Sequence, residues 1–258
     1  MSFMFPVDPR ISPPPPASRP SQRPSRREAY SYGRRRLLFQ IAYAAALGAL
    51  ASSGAAERRA QAQSPQTASP VAVVALGDSL TAGYGLPEEA GFVPRLQAAL
   101  AARGLSAVVQ NAGVSGDTAS DGLARLDWSV PQGIEAVILE LGANDMLRGI
   151  KPAVTDEALD AILHRLSDHH ISVLLCGMRS APNLGADYAH EFDQIYPALA
   201  AKYGALLYPF FLDGVAADPR LLQRDGLHPN AAGVDVIVSR ILPKVEELIG
   251  LARKLHPS

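Results

Sequence analysis

Apolar positions along this chain of 258 residues follow two patterns: short unbroken runs, and longer segments in which they recur every three or four residues. The short runs are typical of buried strands, and they predict strands at residues 71–76, 107–110, 136–141, 172–176 and 205–208. The longer segments predict amphipathic helices, whose apolar faces hold Phe92, Leu96 and Leu100, then Leu159, Leu163 and Leu166, then Phe192, Ile195 and Leu199. A last helix is predicted at residues 231–249, with Val234, Val238, Ile241, Val245 and Leu248 on its apolar face. This alternation predicts an α/β fold, a three-layer α/β/α sandwich of flavodoxin-like type around a five-stranded parallel sheet.

Residues 1–62 differ in composition and are predicted to be a leader that precedes a single domain at residues 63–258. A Pro-rich stretch with scattered arginines, which we expect to be disordered, is followed by three arginines from Arg34, an apolar run and the small-residue sequence Ala60-Gln61-Ala62. These three features, in this order, are typical of a bacterial export signal. The arginines before two leucines also resemble a twin-arginine signal, and Sec export stays open. We therefore expect a periplasmic or secreted protein that is cleaved after Ala62.

The alternative is that the leader is kept as a membrane anchor. Residues 37–56 are about as long as a helix that spans a bilayer. Gln40, Ser52, Ser53 and numerous alanines make this run only weakly hydrophobic, so cleavage is the favoured interpretation.

Without the leader the charge balance becomes acidic. The full chain has 24 Lys and Arg against 25 Asp and Glu, and ten of the basic and three of the acidic residues precede Gln63. Residues 63–258 therefore have a formal net charge of 14 − 22 = −8. Binding to nucleic acid needs a basic surface, so no nucleic-acid partner is expected, and no stable protein partner is indicated. The single cysteine, Cys176, has no second cysteine with which to form an internal disulfide.

Glycines and hydrogen-bonding residues follow the first three predicted strands and precede the last helix. The four segments are Gly77-Asp78-Ser79-Leu80, residues 111–117, Gly142-Ala143-Asn144-Asp145 and residues 225–230. Ligands of parallel α/β sheets bind beyond the carboxyl ends of the strands. We therefore expect the four segments to meet at one edge of the sheet.

Residues in these segments have the side chains that nucleophilic catalysis requires. A serine hydroxyl attacks well when an imidazole accepts its proton and a carboxylate orients that imidazole; Ser79, His228 and Asp225 supply these three groups. Attack on a carbonyl also creates an oxyanion, for which the Ser79 N–H, a glycine N–H after the second strand and the Asn144 amide are candidate donors. Helix capping by Ser79 and an ordinary turn at Asp225 stay open as alternatives.

Taken together, the motifs resemble those of the GDSL or SGNH hydrolase family. Gly77-Asp78-Ser79-Leu80 matches the nucleophile block, Gly116 the glycine of the second block, Gly142-Ala143-Asn144-Asp145 the G-x-N-D block and Asp225-Gly226-Leu227-His228 the D-x-x-H block. Further runs, such as Gly122-Leu123-Ala124-Arg125-Leu126, are most similar to the bacterial periplasmic group of thioesterase I, lysophospholipase and arylesterase. The resemblance covers nearly all of residues 63–258.

The resemblance implies a serine esterase that cleaves aryl esters, lysophospholipids and acyl thioesters through an acyl-enzyme, without a cofactor. It implies Ser79 as nucleophile, His228 as general base and acid, Asp225 as the orienting carboxylate, and an oxyanion hole formed by the N–H groups of Ser79 and Gly116 and by Asn144 Nδ2. It also implies that residues 178–188 border the acyl group, with the substrate-binding candidates Arg179, Pro182, Leu184 and Tyr188. No spacing of His, Glu or Cys typical of a zinc site is present, so no metal is expected.

Two other functions stay open. A carbohydrate O-deacetylase would use the same three side chains and would need aromatic platforms for sugar rings, for which Trp128 and scattered tyrosines are the candidates. A non-catalytic binding module would be expected to have lost at least one motif position, and every position is present. Ser115 is not expected to be the nucleophile, because Asp117 replaces the last glycine of a G-x-S-x-G motif.

Overall fold

A computed structural model describes residues 69–257 of the chain. The predictions about the leader, its cleavage after Ala62 and a membrane anchor concern residues outside this range. None of the helices between residues 69 and 257 has the length and apolar character needed to cross a membrane.

Five parallel strands form one sheet in the order β2-β1-β3-β4-β5. The strands are β1 (Val71–Gly77), β2 (Ala107–Gly113), β3 (Ala136–Glu140), β4 (Ser172–Cys176) and β5 (Leu206–Tyr208). This strand order is that of flavodoxin-like folds, in which the direction of the crossovers reverses between β1 and β3. The predicted fold class is confirmed, and the reversal point is where a ligand site is expected.

Helices cover both faces of the sheet. They are α1 (Ser79–Ala82), α2 (Phe92–Ala102), α3 (Ala119–Ala124), α4 (Leu126–Ser129), α5 (Ala143–Leu147), α6 (Pro152–Asp168), α7 (Ala186–Tyr203) and α8 (Ala231–Leu255). Helices α2 and α8 pack together on one face, whereas α6 packs against α3 and α7 on the other. The result is the predicted three-layer sandwich.

The apolar faces predicted from the periodicity are the faces that pack on the sheet. Phe92, Leu96 and Leu100 of α2 are buried, as are all five predicted positions of α8: Val234, Val238, Ile241, Val245 and Leu248. Full burial of one such large side chain contributes roughly 1.5–3 kcal/mol. Burial of these faces therefore holds the two helices on the sheet.

Five predicted element ends were wrong, because contacts that the local pattern does not show decide where these elements start or stop. Strand β1 ends at Gly77, one residue later than predicted, because its pairing with both neighbouring strands continues to that residue. Strand β2 continues to Gly113 because its pairing with β1 extends to Gly77. Helix α8 continues to Leu255, and Arg253 in its last turn donates a 3.0 Å hydrogen bond to the Ser106 carbonyl.

The other two ends differ by one residue. Strand β3 stops at Glu140, and the carbonyl of the next residue, Leu141, accepts a hydrogen bond from the Tyr196 hydroxyl instead of continuing the ladder. Strand β5 starts at Leu206 because the N–H of Ala205 still bonds to Ala200 at the end of α7.

Candidate active site

The predicted site residues lie beyond the carboxyl ends of the first three strands. Ser79 begins α1 two residues after β1 ends, Gly116 follows β2, and Asn144 lies in α5 just after β3. Residues 225–228 come from the loop that leads into α8 and reach the same edge, because the Nε2 atom of His228 lies 2.9 Å from Ser79 Oγ. The structure therefore brings together four segments that are far apart in sequence.

Asp78, and not Ser79, caps helix α1. The Asp78 carboxylate accepts a 3.0 Å hydrogen bond from the N–H of Leu80, the second residue of the helix, as side chains at N-cap positions do. The Ser79 hydroxyl is therefore not used for capping, and it points to His228. The capping interpretation of Ser79 was wrong.

Asp225 holds both the ring and the backbone of His228. Its Oδ2 lies 2.7 Å from His228 Nδ1, while its Oδ1 accepts hydrogen bonds from the N–H groups of Leu227 (2.9 Å) and His228 (3.0 Å). These hydrogen bonds, that from Leu227 first, lower the pKa of Asp225 to about 2. A charged carboxylate beside Nδ1 favours a proton on that nitrogen, so Nε2 is left to accept one from Ser79. Asp225 therefore stabilises the turn at residues 225–228 and also orients the His228 ring.

The three candidate oxyanion donors differ in their present partners. The N–H groups of Ser79 and Gly116 donate no hydrogen bond within residues 69–257, and Gly116 has a φ of +91°, a conformation that favours glycine. Asn144 Nδ2 instead donates to Asp78 Oδ2 (2.9 Å) and to the Asp117 carbonyl (3.0 Å). Asn144 therefore joins the loops that follow β1 and β2.

Arg125, which was not predicted as part of the site, is buried and contacts both of these loops. Its side chain is only 9% exposed and forms an ion pair with Asp117. The guanidinium also donates to the carbonyls of Gly77 and Ala112, each at 2.9 Å. Its position in a run shared with the family was the only sequence signal, and nothing local indicated that this arginine is buried.

A buried pair of carboxyl groups, Asp78 and Glu140, lies beneath the Ser79 turn. Glu140 is fully buried at the end of β3, and its Oε2 accepts hydrogen bonds from Thr81 Oγ1 (2.7 Å) and the Asp78 N–H (3.4 Å). Burial, and then the negative charge of Asp78, raise the pKa of Glu140 well above its usual value. Burial also raises the pKa of Asp78 to about 6, although hydrogen bonds from Leu80 and Asn144 oppose that shift. Glu140 was not predicted as part of the site, because it lies at the end of an apolar run.

The predicted substrate loop contacts the segment that carries Asn144. The Tyr188 hydroxyl donates a 2.8 Å hydrogen bond to the carbonyl of Ile150, three residues beyond the end of α5. Arg179 lies over the Phe210 ring at 5.1 Å, and Pro182–Leu184 form a 3-10 turn between these contacts. The end of the loop at Tyr188 is therefore fixed against the segment that follows α5.

Trp128, the aromatic residue considered for sugar binding, lies elsewhere. It is on α4, 72% exposed, and the chain runs from there through residues 130–135 to the amino end of β3. Tyr84, in contrast, contacts the site, since the centroid of its ring is 4.6 Å from that of His228.

Comparison with known proteins shows to which family the chain belongs. The chain matches the GDSL-like Lipase/Acylhydrolase family over residues 75–236, and it belongs to that family. Family membership assigns it to the lipases and acylhydrolases, which cleave ester bonds.

Individual relatives are similar over most of their length. The chain is 37% identical to the esterase TesA of Pseudomonas aeruginosa over 185 residues, covering 71% of this chain and 92% of that protein. It is 36% identical to the Escherichia coli (strain K12) protein named thioesterase 1/protease 1/lysophospholipase L1, covering 67% and 83%. The crystal structure of AlinE4, an esterase of the SGNH-hydrolase family, is 48% identical with a TM-score of 0.59, covering 69% of this chain and 96% of that one.

Proposed function

We propose that the protein is a serine esterase in which Ser79 is the nucleophile, His228 the general base and acid, and Asp225 the carboxylate that orients His228. One observation carries this proposal: the continuous contact from Asp225 Oδ2 through the His228 ring to Ser79 Oγ, with distances of 2.7 and 2.9 Å. Such a chain lets a neutral imidazole take the hydroxyl proton during attack.

The acylation half-reaction follows from this arrangement. Ser79 Oγ bonds to the ester carbonyl carbon while its proton passes to His228 Nε2, and the carbonyl π electrons move to the oxygen. The tetrahedral intermediate then collapses: the carbonyl reforms, the bond to the alcohol oxygen breaks, and that oxygen takes the proton from Nε2. Asp225 stays charged throughout and stabilises the imidazolium that forms between these steps.

Deacylation repeats these steps with water. A water molecule gives its proton to His228 Nε2 as its oxygen bonds to the acyl carbon of the Ser79 ester. Collapse of the second tetrahedral intermediate returns the proton to Ser79 Oγ and releases the carboxylic acid.

The oxyanion of both intermediates needs donors that are already in place. The N–H groups of Ser79 and Gly116 have no competing acceptor among the described residues. For Asn144 to be the third donor, the N–H that now bonds to the Asp117 carbonyl must turn to the oxyanion. Loss of one such donor typically costs about 2.7–4 kcal/mol of transition-state stabilisation.

Lysophospholipids and aryl or short-chain esters are the substrates we favour, ahead of acyl thioesters. The order of basic, apolar and small residues in the leader supports export, and acyl-CoA is cytoplasmic. Arg179, Pro182, Leu184 and Tyr188 would border the acyl group, because Tyr188 bonds to the segment after Asn144. A panel of aryl esters, a lysophospholipid, an acyl-CoA and an acetylated sugar tests this ranking, and a preference for the sugar would favour a deacetylase.

Substitution of Ser79 tests the proposed mechanism. We expect Ser79→Ala to lower the kcat for a p-nitrophenyl ester by at least about 10³-fold, to abolish labelling by a fluorophosphonate and to leave the melting temperature nearly unchanged. Ser115→Ala is the matched control, since Ser115 is exposed and lies in the other serine-containing motif; it should keep both activity and labelling. A Ser79→Ala variant with normal turnover would refute the proposal.

A further inference from the structure

The loop that carries Asp225 and His228 is internally well connected. Residues 218–230 contain an isolated antiparallel bridge between Leu222 and Pro229, and Asn230 Nδ2 donates to the carbonyls of Arg220 (2.8 Å) and Leu222 (3.2 Å). These contacts fix the shape of the loop. Its position relative to Ser79 therefore depends on the contacts that it makes with other segments of the chain.

Besides the contact between the Tyr84 and His228 rings, few hydrogen bonds hold this loop against the segment that contains Ser79. Within residues 69–257, two hydrogen bonds join residues 218–230 to residues 78–86: the one between His228 and Ser79, and one from Gln223 Nε2 to the Tyr84 carbonyl at 2.8 Å. Since the His228–Ser79 bond is the reacting contact itself, the bond from Gln223 is the hydrogen bond that can hold the two segments in register while protons move.

Gln223 is also bonded to His228 itself and to the residue that follows it. Its backbone N–H donates to the His228 carbonyl (2.8 Å), and its side-chain amide donates to the carbonyl of Pro229 (3.0 Å) as well as to that of Tyr84. The carboxamide lies directly on the backbone of Gly85, where a Cβ atom would come within 2.4 Å of Gln223 Oε1. One side chain thus connects the residue after His228 to the residues that follow helix α1.

From these contacts we infer that Gln223 is a positioning residue that fixes the His228 ring at proton-transfer distance from Ser79 Oγ. It acts through His228, since its side-chain hydrogen bonds go to backbone carbonyls and not to Ser79 Oγ or the His228 ring. The inference rests on the proposed function, because it assumes that proton transfer between Ser79 and His228 is part of turnover. Displacement of a reacting group by about 1 Å typically costs up to 100-fold in rate, so the predicted effect is on kcat more than on KM.

The test compares the same substitution at two glutamines. Gln223→Met removes both side-chain N–H donors at nearly constant length, and Gln132→Met does the same at an exposed position just before β3. With a p-nitrophenyl ester we expect Gln223→Met to lower kcat by about 10- to 100-fold with KM within about twofold, and Gln132→Met to change neither. Equal kcat values for the two variants would overturn the inference.

A double-mutant cycle separates positioning from a general structural effect. In a His228→Ala background there is no ring to position, so adding Gln223→Met should change the residual rate by less than about twofold. If the full loss persists in that background, Gln223 does not act through His228 and the inference is wrong. Gln223→Glu, which keeps the shape but has no donor for the two carbonyls, covers the case in which the Met variant does not fold. Failure of both variants to fold would assign Gln223 to folding and overturn the positioning role.

The outcome for Gln223 is distinguishable from that for the proposed function. If Ser79→Ala abolishes turnover while Gln223→Met does not alter it, only the positioning role fails. If Ser79→Ala leaves turnover intact, the proposed function fails, and the positioning role fails with it.

Discussion

Two aspartates on opposite sides of the Ser79–His228 pair have pKa values shifted in opposite directions. Burial raises the pKa of Asp78 to about 6, whereas hydrogen bonds from Leu227 and from His228 lower that of Asp225 to about 2. The difference follows from burial, since Asp78 is fully buried whereas the side chain of Asp225 is 38% exposed. Asp225 is therefore charged at pH values well above 2, and an acid limb of the activity profile near pH 4 to 6 is not expected to come from its protonation.

Glu140 has a predictable effect on the pH dependence of stability. Its pKa is raised in the folded state, so the folded protein binds this proton more tightly than the unfolded chain does. The stability linked to the proton is complete below the ordinary pKa of 4.5 and is lost as the pH rises above it. Gln is neutral at every pH, so Glu140→Gln avoids this loss.

We accordingly expect the melting temperature of Glu140→Gln, relative to the wild type, to rise between pH 4.5 and pH 8. The expected gain is at least about 2 °C, which roughly 1 kcal/mol produces in a domain of this size. Differential scanning calorimetry at the two pH values measures it, with Glu89→Gln at an exposed position as the control. A constant difference between Glu140→Gln and the wild type would show that burial of this carboxyl group does not limit stability at neutral pH.

At the scale of elements, the site depends on how the ends of β1 and β2 are held. The carbonyls of Gly77 and Ala112 lie at these ends, and Arg125, at the C-terminus of α3, donates a hydrogen bond to each. Buried carbonyls need such donors. The Asp117 carboxylate forms an ion pair with the same guanidinium, and the Asp117 backbone carbonyl accepts a hydrogen bond from Asn144. The contacts of Arg125 therefore help to set the position of the loop that contains Gly116.

Removal of Arg125 should therefore be far more costly than removal of a surface arginine. Arg125→Met leaves Asp117 and two carbonyls without their partner, and we expect it to lower the free energy of unfolding by about 3–5 kcal/mol. Arg165→Met is the control, because Arg165 forms an exposed 3.4 Å ion pair with Asp127, a kind of contact that contributes at most about 1 kcal/mol. Urea denaturation of the two variants measures the difference. Similar unfolding midpoints would mean that the contacts of Arg125 do not stabilise the fold.

At the scale of the whole molecule, the described fold and the family match coincide. The match at residues 75–236 lies within residues 69–257, the part of the chain that the structure describes. The charge divides in the same way, with ten of the 24 basic residues before Gln63. We therefore expect that folding and the proposed chemistry need no residue before Gln63.

If the leader is an export signal, the exported protein should begin near Gln63. We expect N-terminal sequencing of the exported protein to give this start, and a chain produced from Gln63 to have the same kcat/KM and melting temperature as the exported one. An exported protein that still begins at Met1, or a membrane-bound one, would instead support the uncleaved anchor.

Much of the fold could be predicted because apolar periodicity reports local burial. The five strands and four longest helices were found in this way. The ends that extend beyond the prediction, such as β2 at Gly113 and α8 at Leu255, are those at which a partner distant in sequence continues the element. The short helices α1, α3, α4 and α5 were not predicted, because four to six residues are too few to show a period.

The residues of the candidate site were also predictable only where the sequence signal is local. The motifs with Ser79, Gly116, Asn144, Asp225 and His228 could be found because each is a local combination of residue types. Gln223, Arg125 and Glu140 could not, because their partners Tyr84, Gly77 and Thr81 are 139, 48 and 59 residues away.

The sequence by itself determined the α/β class, the order of the elements and the residue types available for chemistry, because side-chain polarity and spacing are local properties of the chain. Only the tertiary structure decided that the Ser79 hydroxyl lies beside a histidine 149 residues away. Such contacts depend on the register of the sheet and on the packing of both helix layers together. They arise when the whole domain is folded, and no single segment encodes them.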